Sequence, residues 1–88
     1  MPRRVVMASV VEIEREVFRD LQTLVPRGVE IRRDQALIGD LKLLSDDATA
    51  LALDLERKFQ VRIPRDEWGT VSTVQDVIDL LARHVGLP

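Results

Sequence analysis

Residues 39–59 read GDLKLLSDDATALALDLERKF, and their spacing decides the fold. At 100° per residue, Ala48, Leu51, Ala52, Leu55 and Phe59 fall in one sector about 100° wide, the width of a core-facing helical stripe. The spacing therefore predicts a helix from about Asp46 to Gln60. Ser45 stands where the preceding loop hands over to it. A serine there either caps the helix through its side-chain oxygen or presents a hydroxyl for chemistry. Leu53 lies outside the apolar stripe, on the flank that starts at Ser45, together with Thr49 and Glu56.

Upstream, Ser9 followed by Glu12 has the spacing of a capping box. Val10, Ile13, Val17, Leu21 and Leu24 then define one face, flanked by Val11 and Phe18, until Pro26 and Gly28 end the helix. Glu14 interrupts that stripe, which places it where the face leaves the core. Between Val25 and Leu44 no period is evident. The apolar content of this stretch predicts a loop strapped across the helices, with one helical turn around Asp34 to Ile38.

Downstream, Pro64 suits the first position of a short helix, PRDEW, stopped at Gly69. Ser72 and Gln75 repeat the capping-box spacing. Val74, Val77, Ile78, Leu81 and Val85 line the last helix, closed by Gly86 and Pro88. Trp68 reads as a lid over the core, and His84 as a side chain placed to interact favourably with a helix C-terminus. The plan is all-α, a four-helix bundle in which the third helix is short.

Composition narrows the function. The 88 residues suffice for one small domain, 1–88. A formal net charge of −2 argues against a nucleic-acid binder, which carries a basic surplus. There is no cysteine, hence no disulfide, thiolate metal site or cysteine nucleophile. One histidine, no evident acid pair and no glycine-rich phosphate cradle leave nothing from which to assemble a catalytic centre. No segment has the length of a membrane span or the pattern of a signal peptide, so the expected compartment is the cytoplasm. Nothing demands more than a monomer.

From Leu37 to Val85 the chain resembles the acyl carrier proteins. The resemblance rests on Asp40-Leu41, on Leu55, Glu56 and Phe59, on Ile63-Pro64 and on the run STVQDVIDLL from Ser72 to Leu81, all in the family's order and spacing. It implies a carrier, not an enzyme, with 4′-phosphopantetheine attached to Ser45 and an acyl chain held on the arm as a thioester. Implied partners are a phosphopantetheinyl transferase that uses magnesium, an acyl-loading ligase or synthase, and acyltransferases of fatty acid, lipid or polyketide-type synthesis. They would meet Leu44, Asp46, Asp47, Thr49, Leu53, Asp54 and Glu56.

Two departures from the family pattern stand out. The family's Asp-Ser-Leu appears here in reverse, as Leu44-Ser45-Asp46, and Lys42 replaces a glycine usual after the Asp-Leu pair. From Ser45 to Gln60 there are four acids and two bases, a weaker negative field than an ordinary carrier's. These departures keep a second reading open, a carrier-derived interaction module that has lost its arm.

Overall fold

The computed structural model describes residues 9–86; Arg3, Arg4 and Pro88 lie outside them. Four helices follow one another: α1 (Val10–Leu24), α2 (Ser45–Phe59), α3 (Arg65–Trp68) and α4 (Val74–His84). No strand occurs among the described residues, and α1 packs against both α2 and α4. The core is aliphatic. Ile13, Val17 and Leu21 of α1 are fully buried with Leu55 of α2 and Val74, Val77 and Leu81 of α4. Each such side chain contributes roughly 1.5–3 kcal/mol of hydrophobic free energy. Leu37, Leu41 and Leu43 bring the long connection into the same cluster, so this loop is packed by its own apolar residues.

Periodicity placed the helices well and their ends less well. Val10, expected on the core face, is exposed at the first residue of α1. Ser9 caps α1 by accepting from the Glu12 N–H, but no reciprocal bond completes a box. α2 begins at Ser45 and ends at Phe59. Pro64 is the N-cap of α3, not its first helical residue. The expected turn of helix at Asp34–Ile38 is absent. Instead the Leu41 and Asp40 amides donate to the Ala36 carbonyl, and the Asp40 carboxylate accepts from the Ala36 N–H at 2.7 Å.

The box of α4 lies one residue later than the spacing suggested. Thr73 is the N-cap, its hydroxyl accepting from Asp76 N–H. The Asp76 carboxylate accepts from the Ser72 and Thr73 amides at 2.9 and 3.1 Å. Ser72 contributes only its backbone, its carbonyl accepting from Leu37 N–H, and Gln75 reaches along the helix to Asp79. The first helical amides, Val74 and Gln75, donate to the loop carbonyls of Gln35 and Arg33. Groups that helix geometry leaves unpaired are thus satisfied by the loop.

Backbone bonds to Ser72 and Thr73 hold the Asp76 carboxyl below its ordinary value. A carboxyl lowered in the folded state stabilises above its unfolded pKa and loses that contribution as pH falls through the folded value. Asp76→Ala is expected to cost about 1–2 kcal/mol at neutral pH. In urea titrations the gap from the native chain should narrow below the ordinary carboxylate range.

Lys42 has φ +62°, and Gln60, at the end of α2, has φ +55°. Both are left-handed, where a Cβ crowds the backbone and glycine is preferred. This explains the glycine expected at position 42. Lys42→Gly is expected to stabilise by about 1 kcal/mol, read as a higher urea midpoint at unchanged slope.

Candidate functional site

The sequence left Ser45 with two readings, and its place in α2 bears on both. Leu44, not Ser45, is the N-cap: its backbone is extended and its carbonyl accepts the first helical bond, from Ala48 N–H. Leucine offers no side-chain acceptor, so the cap is supplied from the other direction. The Asp47 carboxylate accepts from the Leu44 N–H at 3.2 Å. Ser45 occupies the first helical position, exposed, and no hydrogen bond ties its hydroxyl to another described residue. Asp47 ties down only the Leu44 amide; no side chain caps the first-turn amides, and the Ser45 hydroxyl bonds no other described residue.

Around it, Leu44 is 70% exposed and Asp46 is also exposed, on the opposite side of the serine in sequence. Asp46 and Asp47 lie in the first turn, and Arg57 and Lys58 in the last, an arrangement that complements the helix dipole at both ends. Thr49 and Leu53 are exposed one and two turns further along. Two acids of the same helix are engaged internally. Glu56 accepts from the Trp68 indole N–H at 2.6 Å, tying α3 to α2. Asp54 lies against Arg57 and Lys58, each at 3.4 Å.

Several of these pairings have no signature in the sequence. Lys58 bridges three carboxylates, Glu16 at 2.9 Å, Asp20 at 2.7 Å and Asp54 at 3.4 Å, and so clamps α2 to α1. Asp20 is buried. Desolvation and the neighbouring Asp54 carboxylate push its carboxyl up. For Lys58, burial alone would lower the ammonium's pKa, and the bonds to Asp20 and Glu16 outweigh it and raise it. Glu14 pairs with Arg33, which straps the long loop to α1 and accounts for a charge in the apolar stripe. His84 lies in the last turn of α4, as expected, and bonds Glu67 at 2.7 Å, so it also joins α4 to α3.

An apolar cleft of about 450 Å³ opens between the loop, α2 and α3. Leu37, Ala48, Leu51, Ala52, Trp68 and Val77 form much of its wall. Trp68 is half-buried against the core and borders the cleft, close to the lid expected of it. Thr49, one turn beyond Ser45, also lines it.

Four helices in this order, the third of them short, with an exposed serine where the second one starts, make an all-α bundle. The fold matches the crystal structure of a Toxoplasma-specific mitochondrial acyl carrier protein with a TM-score of 0.80, over 96% of this chain and 99% of that one, at 18% identity. Among sequences, an acyl carrier protein of Lactobacillus acidophilus is 30% identical over 78 residues, 83% of this chain and 98% of the relative. One from Guillardia theta is 29% identical over 77 residues, 82% of this chain and 95% of the relative. No family model matches the chain. The chain belongs to the acyl carrier protein family. Among the described residues no helix is long and apolar enough to cross a membrane.

Proposed function

We propose that this chain shuttles acyl groups on a 4′-phosphopantetheine arm joined to Ser45 Oγ, in the cytoplasm. The observation that carries the reading is the exposed serine at the first position of α2, its hydroxyl bonded to no other described residue. A cysteine-free chain has no thiol of its own, and the arm would supply the one that holds the acyl group as a thioester. The residues present fit such a group: a hydroxyl open to an incoming transferase, and beside it an apolar cleft large enough to shelter an aliphatic chain.

Phosphopantetheinyl transferase, loading ligase or synthase, and acyltransferases would approach along Leu44, Asp46, Asp47, Thr49 and Leu53. Asp54 and Glu56, although on the same helix, already hold Lys58 and Trp68, so they would present less free charge to a partner. Leu44 is the more prominent apolar contact and stands before the serine. The pathways to which this reading points are fatty acid, lipid or polyketide-type synthesis.

Co-expression with a broad-specificity transferase, followed by intact-mass measurement and peptide mapping, tests the reading. A gain of one phosphopantetheine on the peptide containing Ser45 supports it. No gain with any transferase, the host's own included, favours the arm-less interaction module instead.

A further inference from the structure

Among the described residues, Arg65 is the one charged residue lining the cleft between the loop, α2 and α3. It also lines a second, adjoining pocket of about 290 Å³ with Thr49, Leu53 and Glu56. Being exposed, it stands at the rim and not on the floor. No carboxylate among the described residues pairs with it: Glu56, the acid in the adjoining pocket, bonds the Trp68 indole, and Glu67 of the same short helix bonds His84. An apolar slot rimmed by one uncommitted guanidinium matches a ligand with an aliphatic body and an anionic end. A guanidinium recognises a carboxylate with two parallel hydrogen bonds.

From this we infer that the cleft selects acyl groups ending in a carboxylate, the half-thioesters of dicarboxylic acids, with Arg65 reading the distal charge. The inference rests on the carrier reading above and specifies its cargo. An ordinary aliphatic acyl chain fills the same slot and leaves the guanidinium in water. A carboxylated chain of equal length keeps its charged end at the rim, where solvent still reaches it, so no charge is buried unpaired. Arg65 discriminates between the two without closing the cleft to either.

The test compares adipoyl and hexanoyl groups, equal in carbon number, loaded on the phosphopantetheinylated chain. The readout is the half-life of the thioester towards hydroxylamine. An exposed ion pair predicts protection of the adipoyl form by about two- to fivefold over the hexanoyl form. The difference should vanish in Arg65→Gln and survive in Arg65→Lys. It should also shrink as salt approaches about 1 M, where the screening length is ~3 Å. Equal half-lives in the native chain, or an undiminished difference in Arg65→Gln, overturn the inference.

A second measurement needs no attached arm. Adipoyl- and hexanoyl-pantetheine are titrated into the unmodified chain while the amide resonances of Ala48 and Val71 are followed, both residues lining the cleft. The adipoyl compound should shift them at a several-fold lower concentration, again only while residue 65 is cationic. Discrimination here without any mass gain at Ser45 removes the carrier reading and leaves the anion-reading rim. Mass gain without discrimination does the reverse.

Discussion

Ser45→Ala is expected to abolish the gain of one phosphopantetheine entirely while leaving stability within about 0.5 kcal/mol of the native chain. The two readouts together separate the roles a serine can play here. Were Ser45 the N-cap, alanine would cost about 1 kcal/mol of stability whether or not any arm attaches. It is not the N-cap: Leu44 is, and Asp47 supplies the side-chain bond. Alanine is also the best helix former, so the first helical position tolerates it. Loss of the mass gain with an unchanged urea midpoint is the outcome that fits an anchoring hydroxyl. A lowered midpoint with unchanged modification would place the arm elsewhere and return Ser45 to a structural task.

Lys58→Met should lower stability by about 2 kcal/mol at neutral pH. Removing one member of a buried pair costs about 3–5 kcal/mol, and partial exposure of Lys58 reduces that figure. Methionine keeps the length of the stem, so the loss is chiefly that of the charge facing Glu16, Asp20 and Asp54. Its pH dependence follows from the carboxyls. The Lys58 bond holds Glu16 below its ordinary value, so Glu16 stabilises above its unfolded pKa and ceases to as pH falls through the folded one. Asp20 runs the other way. Its folded value is raised by burial, so the folded chain takes up a proton first and gains stability as pH falls towards the unfolded value. Without the ammonium, both carboxyls protonate more readily. The deficit of Lys58→Met is therefore expected to shrink on acidification from pH 7 towards pH 4, measured as the difference in urea midpoints. In the native chain the raised ammonium keeps its contribution below its unfolded pKa and loses it only in strong alkali, as pH passes through the folded value.

What the sequence made legible, and what it did not, divides along a physical line. Helical periodicity reports which side of a helix faces apolar surroundings, and it located Ile13, Val17 and Leu21, Leu51, Leu55 and Phe59, and Val74, Val77, Ile78 and Leu81 correctly. It is insensitive to a shift of one residue at a helix end. Ser72–Gln75 and Thr73–Asp76 both have capping-box spacing, and the sequence alone does not show that the helix starts at Val74, with Thr73 as its cap. It says nothing about charge pairs closed by tertiary structure. Lys58 and Asp20 are 38 positions apart, and an aspartate at the edge of an apolar stripe looks like any solvated acid until another helix covers it. Leu37, Leu41 and Leu43 advertised burial through composition alone, while the turns that put them there depend on the Asp40 carboxylate. At the serine, the sequence left open whether its oxygen caps the helix; in the structure Leu44 is the N-cap and Asp47 bonds the Leu44 amide.

The backbone seam between the long loop and the last helix has an engineering corollary. Because carbonyls of Arg33 and Gln35 receive the first two amides of α4, a cut or insertion between them and Leu37 would loosen the first turn of a helix some forty residues further along the chain. The turn at Arg27–Gly28 carries no such obligation: Gly28 has φ +90°, and a Cβ there would meet open space. New termini or a fused tag belong at that turn, where the chain can be opened without disturbing the scaffold that holds Ser45 in place.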